Sequence, residues 1–144
     1  MQVQQILKSK GGVEVYTVKP GTKVSEAAKI LADKRIGTVV ISTDGSHAEG
    51  ILSERDIVRV LSRKGGSCMD DSVDDYMTVK LVTCTLADRA DDVLSTMTEG
   101  RFRHMPVVED GVMVGLITLG DVVKARLSEL SMERDALEGM IMGH

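Results

Sequence analysis

The chain has 144 residues, enough for one compact domain or two small halves that share a core. Hydrophobic residues make up 42% and charged residues 28%, a globular balance, and only 2% are aromatic, so Val, Ile, Leu, Ala and the 9 Met must build the core. A net charge of −4 excludes a broad basic surface for nucleic acid, but not a small anionic ligand held by a few local cations.

Residues 3–7 read as a short helical lead-in, and Thr17-Val18 opens a strand. Val24, Ala27, Ala28 and Leu31 fall at i, i+3, i+4 and i+7, which predicts an amphipathic helix with one buried face, and Thr22 is placed to cap it. The β-branched run at residues 38–42 predicts a strand, Asp44-Gly45 a hairpin turn and residues 50–53 the returning strand. A second helix opens at Asp56. Gly65-Gly66-Ser67 marks a linker, and residues 73–77 read as another short lead-in. The acidic cluster Asp70, Asp71, Asp74 and Asp75 has no fixed ligand spacing and reads as a solvated linker and helix cap.

The same succession then recurs at a spacing of 66 (Thr83 against Thr17). Ala90, Val93, Leu94 and Met97 repeat the helical stripe, with Asp88 in the place of Thr22. His104-Met105-Pro106-Val107-Val108 repeats the strand, its proline suggesting an edge or a strand start, and Asp110-Gly111 repeats the turn. One residue is then lost. At a spacing of 65, Gly115-Leu116-Ile117-Thr118 matches Gly50-Ile51-Leu52-Ser53, and Asp121 matches Asp56. The expected organisation is a first repeat at 1–64 with its lead-in helix, a linker at 65–72, a second repeat at 73–130 and a helical tail at 131–144.

The most specific shared feature is a hydroxyl three residues before a carboxylate, between a strand and a helix: Ser53-Glu54-Arg55-Asp56 and Thr118-Leu119-Gly120-Asp121. One reading is a capping box, in which both side chains satisfy free amides at the helix start. The other is a ligand site. A helix start offers N–H groups and a positive dipole end to an anion, the hydroxyl can bond phosphate or ribose, and the carboxylate can accept both ribose hydroxyls. Gly120 would let a ligand approach the backbone, and Arg55 would add a charge-assisted phosphate partner.

The order Thr17-Val18, Ile36-Gly37-Thr38-Val39, Gly50-Ile51-Leu52-Ser53 and Asp56 resembles the cystathionine-β-synthase (CBS) domain family. So does the order Thr83-Cys84, Phe102-Arg103-His104-Met105-Pro106-Val107, Gly115-Leu116-Ile117-Thr118 and Asp121. The resemblance covers the chain from about Val15 to Leu127. It implies an α/β (α+β) fold of two β-α-β-β-α repeats about a pseudo-twofold axis, with a short N-terminal and a longer C-terminal helix. It also implies a cleft with two related sites for an adenosine-containing ligand: AMP, ADP, ATP, S-adenosylmethionine or NAD/NADH. Carried onto this sequence, Asp56 and Asp121 would hold ribose hydroxyls, and Ser53 and Thr118 would touch ribose or phosphate. Adenine would lie between Thr17-Val18 or Thr83-Cys84 and the backbone of Gly37, Thr38 and Val39 or of His104, Met105 and Pro106. Ile36, Val39, Phe102 and Met105 would flank the ring. Arg103 and His104 have no cationic counterparts at Gly37 and Thr38, so the sites are unequal, and a phosphate near the pseudo-twofold centre would draw Arg55 and Arg103 together.

The expected function is therefore a regulatory nucleotide sensor, not an enzyme, acting in trans on an unknown protein target or through its own dimer state. The alternative is a structural or protein-interaction module, against which the intact hydroxyl–carboxylate pairs argue. His104 has no evident nucleophile partner, and neither a catalytic cofactor nor a metal is expected. Scarce aromatics offer little to a nucleic acid. Val123, Leu127 and Leu130 carry an apolar stripe into the terminal helix, and with the family's habit of pairing through helical faces this implies a homodimer. Cys68 and Cys84 form no CxxC pair and read as reduced thiols of a cytoplasmic protein, with no membrane span or cleavage signal.

Overall fold

Both helical stripes form the helices they predict: α2 (Val24–Lys34) buries Val24, Ala27 and Leu31, and α4 (Ala90–Gly100) buries Ala90, Val93 and Met97. Each ends on an arginine in the left-handed region, Arg35 (φ 54°) and Arg101 (φ 57°), which turns the chain back toward a strand. The computed structural model describes residues 1–11 and 15–142.

In the first repeat β1 (Thr17–Val18) runs parallel to β2 (Thr38–Ile41), and β2 pairs antiparallel with β3 (Gly50–Ser53), which leads directly into α3 (Glu54–Lys64). In the second repeat β4 (His104–Glu109) and β5 (Val112–Thr118) form the hairpin, and α5 (Leu119–Ile141) follows. The second early strand shrinks to one parallel bridge, Cys84 to Val107, in the register of Val18 to Ile41. Pro106, expected at an edge or strand start, lies inside β4. Its carbonyl accepts the Cys84 amide at 3.0 Å, so its nitrogen faces that same short-partnered edge, where no donor is needed. Asp110-Gly111 makes the expected tight turn, both residues at positive φ. Asp44-Gly45 does not: it sits in a longer loop between Ile41 and Gly50, where Asp44 accepts the Ser46 and His47 amides at 2.8 and 2.9 Å.

The lead-in segments are exchanged between the repeats. Val3 and Ile6 of α1 (Val3–Ser9) belong to the second core, with Cys84, Met97, Met105, Ile117 and Val122, whereas Val73 belongs to the first, with Val24, Val39, Ile41 and Leu52. Matching backbone bonds hold the exchange: Val3 N–H to Asp88 O (2.8 Å) and Ala90 N–H to Met1 O (2.9 Å) mirror Val73 N–H to Thr22 O (2.8 Å) and Val24 N–H to Asp71 O (2.9 Å). Thr22 and Asp88 are consequently not helix caps. The N-cap residues are Lys23 and Arg89, and the helix-start amides of Val24 and Ala90 are met by the carbonyls of the exchanged segments. Two glycines make room for this docking. A Cβ on Gly50 would run into the Met77 thioether, and one on Gly115 would come within 2.9 Å of Leu7 Cδ1.

The expected linker is also ordered: Gly65–Asp70 winds into a 3-10 turn that buries Cys68, and Val73–Asp75 forms another. α5 continues without a break past residue 131, and its apolar residues Leu127, Leu130, Leu137 and Met140 are exposed; Gly143 and His144 lie outside the described residues.

Candidate functional site

Both hydroxyl–carboxylate pairs form reciprocal capping boxes. Ser53 N–H donates to Asp56 Oδ2 at 2.9 Å and Asp56 N–H to Ser53 Oγ at 3.2 Å; in the second repeat the distances for Thr118 and Asp121 are 2.9 and 3.1 Å. The structural reading is thus realised, and it does not compete with the ligand reading. The cap occupies one carboxylate oxygen and fixes the side chain at the helix start; among the described residues the other oxygen of Asp56 faces only the exposed Arg59 at 3.5 Å. The first amide of each helix is also spent, Glu54 N–H on Gly37 O (2.9 Å) and Leu119 N–H on Arg103 O (2.8 Å). Among the described residues, the amides of Arg55 and Gly120 carry no such bond and remain for an anion.

The cavities are built from both repeats. One of about 450 Å³ sets Ser53, Arg55 and Asp56 of the first repeat opposite Val82, Phe102, Arg103, His104 and Pro106 of the second, with Lys80 on its wall. A smaller one, about 210 Å³, sets Thr118 and Leu116 of the second repeat opposite Tyr16, Ile36, Gly37 and Thr38 of the first. Between them an open cavity of about 640 Å³ gathers Arg55, Arg103, His104, Gly120 and Lys124, with Glu54 the acid among them. That central cluster brings together the two arginines that the sequence suggested a phosphate would draw in.

The remaining expected residues lie elsewhere. Val18, Val39, Cys84 and Met105 are buried core side chains and line none of the composite cavities, whose apolar lining includes Ile36, Phe102 and Pro106. Thr83 is exposed and lines none of these cavities, while Lys80, Leu81 and Val82 just before it do. Thr17 opens onto a separate cavity beside Lys10 and Met113. Lys10, Glu54, Lys80 and Lys124 escaped the sequence reading; a lysine at the same place after each lead-in was the available signal for two of them. The Thr38 hydroxyl is buried without a hydrogen-bond partner among the described residues, an acceptor and donor open to whatever enters the smaller cavity.

Burial, followed by the charge of Arg103, lowers the His104 pKa from its ordinary value against the opposing pull of Asp121, Asp56 and Glu54. The lowering favours the neutral imidazole over the cation in the ligand-free chain. Burial pushes the Cys84 thiol up to about 12, with Asp88 adding to the rise, so it is no nucleophile. Burial tends to raise the Asp121 pKa, but its bonds from Lys10 and Thr118 prevail and hold it below the usual range. Among the described residues no group of His, Cys, Asp and Glu could hold a metal ion; in the acidic cluster Asp71 pairs with Lys64 at 2.8 Å and Asp74 accepts the Gly21 amide at 3.2 Å.

The CBS domain family model matches residues 7–63 and 73–128, and the chain belongs to that family. It is similar to the CBS-domain containing protein ATU1752 from Agrobacterium tumefaciens, 40% identical with a TM-score of 0.82 over 88% of this chain and 99% of that one. It is also similar to the mitochondrial CBS domain-containing protein CBSX3 of Arabidopsis thaliana, 32% identical over 149 residues, 98% of this chain and 72% of the relative. A third likeness is to the CBS domain pair of protein MJ0100, solved in complex with 5′-methylthioadenosine and S-adenosyl-L-methionine: 25% identity and a TM-score of 0.75 over 87% of this chain and 98% of that one. No helix among the described residues is long and apolar enough to cross a membrane.

Proposed function

We propose that this CBS pair is a regulatory sensor that binds an adenosine-containing ligand in the composite cavity of Ser53 and Asp56. The observation that carries the reading is the wall arrangement of that cavity. A carboxylate held in place by its own helix cap faces an apolar slot of Val82, Phe102 and Pro106, and the cationic cluster of Arg55, Arg103 and Lys124 lies beside it. Ribose, purine and phosphate need those three surroundings in that order. The adenosyl ligands of the MJ0100 pair support the same class here. AMP, ADP, ATP, S-adenosylmethionine and NAD/NADH all meet the requirement, the last by spanning the central cavity.

In this reading the chain is not an enzyme. Half-buried His104 and the high-pKa Cys84 offer no nucleophile–base pair among the described residues, and the output is a change in its own dimer or in a protein partner. We assign the dimer to the exposed apolar residues Val58, Val123 and Leu127 on α3 and α5, and the compartment to the cytoplasm, which suits two unbridged thiols. A thermal-shift panel of these ligands tests the function. A ligand at 100 times its Kd adds about 2.7 kcal/mol of stability, so a rise of several degrees is expected for at least one. No shift with any of them at millimolar concentration would favour the interaction-module alternative.

A further inference from the structure

We propose that Lys10 is a latch on the second ribose carboxylate, so that ligand fills the Asp56 site first and the Asp121 site opens only when Lys10 lets go. This rests on the adenosine-ligand reading above. Lys10 Nζ lies 2.8 Å from Asp121 Oδ2 and donates to the Leu116 carbonyl at 3.0 Å, with only 20% and 21% of the two paired side chains exposed. Asp56, its counterpart, has as its one ion-pair partner among the described residues Arg59 at 3.5 Å, a side chain 61% exposed. The consequence is visible in the cavities. Asp56 opens into the cavity of about 450 Å³, whereas Asp121 lines none of the three composite cavities, and Lys10 itself lines the small one beside Thr118.

The repeat supplies an internal comparison. Val3, Leu7 and Lys10 correspond to Val73, Met77 and Lys80 at a spacing of 70 (73 against 3). Val3 and Val73 are both fully buried, and Leu7 and Met77 pack over Gly115 and Gly50. Lys80 nevertheless stands on the wall of the first cavity with no ion pair to Asp56 among the described residues. The backbone accounts for the difference. After Met77 the chain runs on against β3, where Thr78 and Ile51 exchange bonds of 2.9 and 3.0 Å, so an amide takes the Ile51 carbonyl. In the second repeat the matching carbonyl, that of Leu116, is taken by the Lys10 ammonium, which the exchanged helix α1 delivers to Asp121. Asp121 Oδ2 receives both Thr118 N–H and Lys10, and because Lys10 lines the smaller cavity while Asp121 does not, a ribose entering there meets the lysine and must move it to reach the carboxylate. A half-buried, doubly bonded pair is less screened than a surface one and resists that displacement.

Calorimetric titration of wild type, Lys10→Met and Lys80→Met tests the latch, with AMP and 5′-methylthioadenosine as probes. The second carries a ribose but no phosphate, so removing a cation does not of itself weaken it. Expected is one strong site per chain in wild type, and in Lys10→Met a second-site affinity for 5′-methylthioadenosine raised at least about fivefold with the first site unchanged. Lys80→Met is expected to open no additional site. Second-site binding that is unchanged or weaker in Lys10→Met would overturn the latch. If neither probe binds any of the three proteins, the adenosine reading fails, and the latch is then judged on the ligand-free protein by carbon NMR titration of the Asp121 carboxyl. A higher pKa in Lys10→Met supports it, and an unchanged one rejects it.

Discussion

Replacing Asp56 separates the two tasks of its carboxylate. Its Oδ2 accepts the Ser53 amide at 2.9 Å, and the rest of the group faces the composite cavity. Asp56→Asn keeps a carbonyl oxygen for the amide, so stability should change by less than about 1 kcal/mol. Asp56→Ala leaves the partly buried Ser53 amide without an acceptor, which costs about 1–2 kcal/mol, or roughly 3–8 °C in Tm for a chain of this size. Binding should fall much further. Two ribose hydroxyls given to a charged acceptor contribute about 1.5–3 kcal/mol each, so their loss in Asp56→Ala means about 3 kcal/mol or more, a drop of at least about a hundredfold. Asp56→Asn should lose about tenfold while melting near wild type. Calorimetric titration with AMP or S-adenosylmethionine and thermal melts on the same samples measure both quantities. If Asp56→Ala melts lower but binds as tightly as wild type, Asp56 is a helix cap only, and the ribose assignment is wrong.

The exchanged lead-in predicts where damage travels. Val3→Ala should cost about 2–3 kcal/mol and lower hydrogen-exchange protection at Ile117 and Val122 of the second core, whereas Val73→Ala should lower it at Val39 and Leu52 of the first; loss in the sequence-adjacent repeat in both cases would contradict the exchange. Gly50→Ala should destabilise by about 1–3 kcal/mol through the Met77 thioether, and Met77→Ala should restore most of that loss in a double-mutant cycle. His104 sets a pH dependence. Because its folded pKa lies below the unfolded value, the unfolded chain takes up the proton first, and stability falls as pH drops below about 6.5 toward the folded pKa. His104→Asn should therefore flatten the Tm profile between pH 7.5 and 5.5, and an unchanged slope would show that this residue is not responsible.

Much of the fold was legible because its signals are local. The stripes of α2 and α4, the strand-to-helix capping boxes and the Asp110-Gly111 turn each lie within a few residues and follow from periodicity and turn chemistry. Pairings between distant segments were not. Nothing near Val3 or Val73 says which repeat receives it, and Thr22 and Asp88 suit a cap until the carbonyls of Asp71 and Met1 are seen to meet the amides of α2 and α4. β2 is buried on both faces, so alternation could not tell that Val39 points into the core while Thr38 borders a cavity. Ser53, Arg55, Asp56, Arg103 and Gly120, all singled out by the repeated motifs, line the two larger composite cavities. Thr83 lines neither, because the cavity lies against the residues just ahead of the shortened strand. Lys10 is marked in the sequence only by its repeat counterpart Lys80, since its partner Asp121 is far along the chain and only the fold brings them together.

The most direct test of the central claim is a crystal structure grown with millimolar AMP or S-adenosylmethionine. Ribose hydroxyls are expected on Asp56, the purine between Val82 and Pro106, and any phosphate turned toward Arg55 and Arg103. A ligand bound away from the composite cavity, or an empty cavity at that concentration, would contradict that claim.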